Sequence, residues 1–562
     1  MALPDVTLNI LDGALGILPP NTSKVQLKIG CAPKGLISTV QGVGDVNTLQ
    51  ALFGKGGPLV ESSAMALAAG PLLCLAANPS TYGTPGTVTK GTVGTGSTST
   101  LTVTAKPFTG LVVKCAVGGT LATATLQVST DGGATYGAAF VSAATVMLPG
   151  VSFVTIACSA GTYTAGDTWT IGTDGTVVFS GSGNNGVTLS TACPVDAYAL
   201  VVTCTSGGAL GAAQFTYSLD GGNTTSGTLL VPASGKYVIP DTGILLTFTN
   251  ALVTTDAWSC PVTTASYASG DLTTAMTAAL ADARTWGFVH VIGPASSVAN
   301  AATLLASLDT QLATAASAYR FAAGLLEVPT DTDANTISGF AASSSLRVAA
   351  VAGYEWQTSG LNGRQMSRPA AWTVAARAAQ AAVSDDLGKV ISGPMTGASF
   401  KATNPANAAG RDETATPGLD AARFTTLRSL IGRQGVFITT GRIMAPGGSD
   451  YSLWQNRRVM DVACSTVRNT LLNFLNSSVR VNKDGSIYEN DARTIEAQCV
   501  ADLNAALVQP GDASSASVVV NRSANILSTQ TLPVSIRVVP LGYAKTISVD
   551  IGFTNPASLV TR

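Results

Sequence analysis

288-FVHVIGPASSVANAATLLASLDTQLATAASAYRFAAGLLEVP-329 reads as a strand, a helix and a second strand in series. FVHVIG is a short continuous apolar run, the pattern of a buried strand. From Val298 to Tyr319 the apolar residues fall at helical spacing, and the stretch begins directly after two serines able to cap it. FAAGLLEVP returns to strand, and LRVAAVAGY (346–354) adds another. Strands alternating with helices predict an α/β unit around a central sheet.

Working upstream, VQLKIG (Val25–Gly30) is a further strand, and apolar helix-like sequence begins near Ser62. Downstream, Gln455 to Val479 predicts a helix with Val459, Met460, Val467, Leu471 and Phe474 on one stripe. Arg458, Asp461, Ser465, Arg468 and Asn469 then face away. Val462 and Leu472 lie outside the stripe, which predicts burial on more than one side.

Between these parts lies an internal repeat. Cys115, Asp131, Asp167 and Trp169 recur as Cys204, Asp220, Asp256 and Trp258, each 89 residues later. Gly118-Gly119 likewise recurs as Gly207-Gly208. Short Thr/Val-rich runs separated by turn residues predict two small antiparallel sandwiches, and the DGG turns are hairpin signals. Tyr82–Thr98, rich in Gly, Thr, Ser and Pro, reads as the linker into this block. The resulting division is 1–20 N-terminal arm, 21–85 first part of the body, 86–178 and 179–265 inserted repeats, 266–530 the α/β body, and 531–562 C-terminal arm.

The chain has 562 residues, 46% hydrophobic and only 11% charged, against about 25% charged in ordinary globular proteins. With 31 basic and 32 acidic residues the net charge is −1, so long-range repulsion between copies is weak. Such a surface suits packing against copies of itself. No basic stripe exists to displace counterions from phosphates, which argues against nucleic acid as a direct partner. MALPDVTLNI lacks the features of a signal peptide. The longest apolar run, Ala64–Ala77, is broken by Gly70-Pro71 and is too short to span a membrane, so no stable membrane insertion is expected. Nine cysteines without a Cys-x-x-Cys pair read as buried free thiols in a reducing cytosol; the rival is a Cys204–Cys260 bridge.

Groups able to do chemistry are few. The single histidine, His290, lies inside an apolar strand and reads as a satisfied core residue. One His without Cys pairs leaves no zinc site. STDGGATY resembles the Asp-box of sialidases through Ser129, Asp131, Gly133 and Thr135, with Tyr136 where the box has Trp. The second copy keeps Ser218, Asp220, Gly222 and Thr224 and ends in Thr225. In those enzymes the box is a turn remote from catalysis, and two copies are too few for a propeller. Asp331/Asp333 and Asp385/Asp386 lack calcium-loop spacing, and SGSGNNG (180–186) reads as a linker between repeats. No catalytic residue, metal ligand or cofactor is assigned, and the chain is not expected to be an enzyme.

Both ends read as strand-forming arms with one apolar face. Val6, Leu8 and Ile10 alternate with polar residues near the start. LPVSIRVVPLGYAKTISVDIGF (532–553) gives a strand Val534–Val539, a break at Pro540 and a second strand Thr546–Phe553, carrying Ile547, Val549, Ile551 and Phe553. An isolated two-stranded piece is marginal in water, so each arm needs something to dock on.

Outside the repeats, over roughly 1–80 and 266–562, the chain resembles the contractile tail sheath proteins of bacteriophages and related injection particles. The likeness rests on 288–329, on MSRPAAWTVAARAAQAAVSDDLGKVISGP (366–394), on 427–475 with Gly441-Arg442, Trp454 and Arg457-Arg458, and on the closing 532–553. It departs at TTGRI (439–443), where many relatives carry Trp-Gly-Ala-Arg-Thr. The resemblance implies a multidomain α/β (α+β) sheath core, with the tandem Ig-like repeats as an outer insertion and the two arms pairing with neighbouring subunits. It also implies helical rings around a tail tube protein, with baseplate and tail terminator proteins at the ends, in a virion tail assembled in the bacterial cytoplasm. Two alternatives stay open: a surface adhesin whose repeats bind glycans, and a glycan hydrolase, for which the chain offers no credible acid–base pair.

Overall fold

Six strands make the sheet that the opening stretch predicts: β1 (Gln26–Gly30), β2 (Val40–Val43), β3 (Leu72–Ala76), β4 (Phe288–Val291), β5 (Ala323–Glu327) and β6 (Val348–Val351). The computed structural model describes residues 22–33, 35–91, 98–105, 111–130, 132–147, 154–171, 177–180, 187–191, 194–293, 295–399 and 411–553. The strand order is β2-β3-β1-β4-β5-β6, parallel throughout except for the antiparallel edge strand β2. Four of the six strands, β3 to β6, are unbroken or nearly unbroken apolar runs, as strands covered on both faces must be.

Helices cover both faces. α1 (Val46–Phe53) and α2 (Pro58–Ala66) link β2 to β3, and α3 (Ser269–Ala281) and α4 (Val298–Ser317) flank β4. Ser297 caps α4, its hydroxyl accepting from Asn300 N at 3.2 Å. The helix stops at Tyr319, whose φ of 63° leaves the helical region. Leu304, Leu308 and Leu312 of α4, with Leu272 and Met276 of α3, pack on Val289, Val291 and Leu326. The alternate residues Phe288, Leu325 and Ala349 face the other way, onto α5 (Ala371–Gln380) and Trp454. This two-residue periodicity divides one sheet between two cores. Gly324 lets α4 approach closely, since a Cβ there would lie 2.9 Å from Leu308 Cδ2.

The helix expected over Gln455–Val479 is α6, Trp454–Leu472. Beyond Leu472 the bonds tighten to three-residue spacing, Phe474 N to Leu471 O and Leu475 N to Leu472 O, and Asn476 adopts a φ of 58°. Asn and Ser there compete with the helix for backbone groups. The prediction that Arg458 and Asp461 face solvent is corrected. Arg458 is 2% exposed and donates to Ala378 O (2.9 Å) and Ser23 O (3.0 Å), while buried Asp461 accepts from Arg347 and Arg457.

The inserted block leaves and re-enters the body side by side: Thr81 and Ser266 are antiparallel bridge partners. Inside it the sequence offset becomes geometry. Cys115 pairs with Leu126 as Cys204 pairs with Phe215, and Trp169 pairs with Val113 as Trp258 pairs with Val202. Each body combines strands of a five-stranded and a three-stranded sheet over its own aromatic core, Tyr163 and Trp169 in one and Phe215, Phe248 and Trp258 in the other.

The leading strands cross over. Thr89–Lys90, within the expected linker, and Thr100–Ala105 pair with Trp258–Ser259 and Ile244–Thr249 of the second body. Val177–Ser180 and Val187–Thr191 pair with Thr168–Ile171 and Val154–Cys158 of the first. A cut between 178 and 179 therefore falls inside a strand of the first body. Asp256 fixes the crossing, accepting from Ser99 Oγ at 2.6 Å and pairing with Lys90 at 3.3 Å. Cys204 and Cys260 are free thiols. Leu200 is the register partner of Cys260, four residues from Cys204 and roughly 13 Å along the strand, too far for a bridge.

Candidate assembly interface

Residues Thr466–Arg562 form a compact unit of their own. Its frame is α7 (Glu489–Leu503) and an antiparallel pair, β7 (Ser515–Val520) and β8 (Val534–Val539), registered Ser515↔Val539 to Val520↔Val534. Val518 and Val520 are buried, Val534, Ile536 and Val538 half-buried, and Ser517, Ser535 and Arg537 exposed. That alternation gives the pair one apolar face. Arg522, just past β7, ties it to α7 through Glu489 (3.0 Å) and Glu496, and Val520 N donates to Glu496 Oε1 at 2.7 Å. Arg522, followed by Arg493, holds the Glu489 carboxyl down at about 2. A sheet of two strands has two outer edges, each with a row of unpaired backbone groups.

The strand expected over Val534–Val539 is thus present and hydrogen-bonded within its own chain. The strand expected over Thr546–Phe553 is absent, since 540–553 carries no regular structure. Extended backbone needs a partner ladder to count as strand, and none lies beside it among the described residues. Ile547, Val549, Ile551 and Phe553 are 77%, 67%, 92% and 109% exposed. Burying each would contribute about 1.5–3 kcal/mol. Val6, Leu8 and Ile10 lie outside the described residues.

His290 is buried, and sequence reasoning missed its company. Lys28 Nζ donates to Ser62 Oγ (2.7 Å) and lies 3.2 Å from His290 Nδ1. His290 Nε2 stands 3.2 Å from Glu327 Oε1 but out of line for a hydrogen bond. Glu327 also accepts from Trp372 Nε1 (2.8 Å) and Gly293 N (3.1 Å). All three residues are at most 1% exposed. Burial drops Lys28 to about 7, raises Glu327 to about 7, and with Lys28 holds His290 well below its ordinary value. Sealed from solvent, this line binds β1, β4 and β5 together. The signal available was a charged residue inside each of two apolar strands, KIG and LLEVP.

A second buried network joins the inserted block to the body. Arg368, on a hairpin of Tyr354–Thr358 and Gln365–Pro369, forks onto Asp196 at 2.8 and 2.9 Å and also reaches Glu61 of α2. Arg364 reaches Asp196 at 2.7 Å. The guanidiniums stack on Trp372 and Tyr198, 4.8 and 4.7 Å from the ring centroids. Burial alone would push the Asp196 carboxyl up, and the two arginines outweigh it and hold it well below the carboxylate range. The second Asp-box turn belongs here. Asp220 accepts from Ser218 and Thr224, and its Oδ2 takes Gln365 N at 2.9 Å, so this carboxylate organises a turn and docks it.

The acidic pairs sit in loops, except that Asp333 opens a short helix, Asp333–Gly339. Asp331 accepts from Asn335, Asp333 meets Arg411, Asp385 meets Lys389, and Asp386 accepts from Gly388 N and Gly441 N. Among the described residues no cluster of three or more His, Cys, Asp or Glu could hold a metal ion. No described helix is long and apolar enough to cross a membrane.

Fold and site together define a mixed α/β protein with a buried ionic frame, an inserted all-β block and an unpaired apolar segment near the C-terminus. The chain belongs to the DUF2586 family: residues 3–442 match its N-terminal domain and 450–558 its C-terminal domain. Among solved structures it is similar to the sheath tail protein of Desulfitobacterium hafniense, with 10% identity, 96% of this chain and 100% of that one covered, and a TM-score of 0.41. The sheath tail protein of Listeria innocua gives 12%, 92%, 95% and 0.42. A chain of the anti-feeding prophage baseplate gives 11%, 52%, 76% and 0.35. No curated protein matches.

Proposed function

We propose that the chain is the structural subunit of a contractile tail sheath. Copies polymerise as helical rings around a tail tube, between baseplate and tail terminator proteins, in a virion tail assembled in the host cytoplasm. Contraction then drives the tube through the target envelope. The observation that carries this reading is the pairing of an offer with a need inside one chain. Residues 546–553 present four exposed apolar side chains with no ladder of their own, and β7–β8 presents two open edges. A segment that adds a strand to a neighbour's sheet joins copies by main-chain bonds, and a head-to-tail contact of this kind builds an open helix. The N-terminal arm, through Val6, Leu8 and Ile10, makes a second connection of the same type. The division at 86–265 is an outer decoration, and no catalytic group is needed.

The test is deletion of Thr546–Arg562. The truncated chain should fold and stay dispersed, where the full chain forms hollow striated cylinders under the electron microscope. Normal cylinders from the truncated chain would refute the arm mechanism.

A further inference from the structure

Between α2 and the 354–369 hairpin lies a cavity of about 280 Å³. Its lining includes Glu61, Met65, Gln357, Leu361, Arg364 and Trp372. The Glu61 side chain is 5% exposed; its Oε2 is committed to Arg368, whereas Oε1 is buried and accepts no hydrogen bond. Arg364 Nη1 lies 3.7 Å from that oxygen, beyond hydrogen-bond reach. A buried acceptor without a donor costs about 1–3 kcal/mol, so an orphan at a cavity wall marks a place for a ligand.

The chemistry of the ligand follows from charge. Glu61, Arg364 and Arg368 line the wall, and Asp196, outside the lining, pairs with both arginines, so the four charges cancel and the site does not select an ion. It offers one acceptor oxygen and one guanidinium N–H a few ångströms apart, beside the apolar faces of Met65, Leu361 and Trp372. A carboxamide has the complement: an N–H for Glu61 Oε1, a C=O for Arg364, and a short apolar stem. The volume lies just under the range for drug-sized ligands and suits a small amide or one amide-bearing side chain. We propose that this cavity is a carboxamide-binding site, filled by a free amide ligand or by an Asn, Gln or main-chain amide of an assembly partner.

The probe is propionamide, titrated into the full-length chain by saturation-transfer NMR, with propylammonium and propionate as matched ions. Propionamide should bind at least tenfold more tightly than either ion. Met65→Trp, which fills the cavity and leaves the Glu61–Arg368 pair in place, should weaken it at least tenfold, with the circular dichroism spectrum unchanged. In a density map of the assembled protein, a neighbour's amide in the cavity identifies the partner source, and density of a separate small molecule there identifies the free ligand. Equal binding of the ions, indifference to Met65→Trp, or only an ordered water between Glu61 and Arg364 in crystals soaked with propionamide would overturn the assignment.

Discussion

Arg368→Ala probes the clamp that seats the inserted block. Arg368 sits at a place where Asp196 and Glu61 are 2% and 5% exposed at their side chains, and the substitution leaves both carboxylates short of a partner. Breaking a buried pair from one side typically costs about 3–5 kcal/mol, and the lost stack on Trp372 adds about 0.5–2 kcal/mol. Arg364 still serves Asp196 at 2.7 Å, which keeps the expected loss near the lower figure, about 3 kcal/mol. The loss should be local. Amide hydrogens of Gln365, which donates to Asp220, and of Tyr198–Ser206 should exchange roughly a hundredfold faster, while β4 and β5 stay protected. A double-mutant cycle with Asp196→Ala isolates the pair, and contacting charges of this kind couple by about 1.5 kcal/mol or more. Coupling below about 0.5 kcal/mol, or exchange that rises equally in the central sheet, would refute the claim that this fork holds the block to the body.

Removing Thr546–Arg562 should abolish polymerisation and leave the thermal transition of the dispersed chain within about 1 °C, measured by sedimentation and calorimetry, since the side chains of 546–553 are already in solvent. Glu355→Gln should flatten a pH slope. Burial raises the Glu355 carboxyl to about 8, against the bonds it accepts from Thr373 and Gln357, so between pH 4.5 and 8 the folded chain keeps a proton that the unfolded chain releases. Stability then falls as pH rises across that window, by up to roughly 5 kcal/mol; denaturant midpoints at pH 5 and 7 should draw closer in the variant, with Glu327, raised to about 7, supplying the slope that remains, and an unchanged slope would place the proton elsewhere. Excising 107–192 with a short Gly-Ser linker should leave Thr100–Ala105 protected against Ile244–Thr249 in hydrogen exchange. Loss of that protection would contradict the crossed pairing.

Local patterns carried much of the body. FVHVIG and FAAGLLEVP are β4 and β5 because a fully buried strand writes itself as an apolar run, and Ser297 caps α4 where a serine pair preceded helical spacing. What failed to show was pairing at a distance. Lys28 and His290 are 262 residues apart, and Arg368 and Asp196 are 172 apart. On the polar side of an amphipathic helix nothing local marks a charged side chain for burial, which is why the apolar stripe of α6 puts Arg458 and Asp461 on the opposite face. The repeat was visible, and its exchange of leading strands was not, since equivalent segments fit either body equally well. The 546–553 stretch alternates as a strand does, yet an alternating sequence fixes only which face is apolar, and a ladder requires another chain segment beside it.

The bridge between Thr81 and Ser266 has an evolutionary consequence. To the central sheet, the residues between them count as a tight turn, because the two stumps already stand a bridge-width apart. Loop-closure entropy grows only slowly with length, and a guest that folds with its ends together spares the host even that increment. The stumps are therefore a socket: domains of unrelated origin could be swapped in there, provided each supplies its own counterpart to Asp196 for Arg364 and Arg368 to grip. Diversity among relatives should concentrate at that junction, with the two arginines lost wherever the guest is missing.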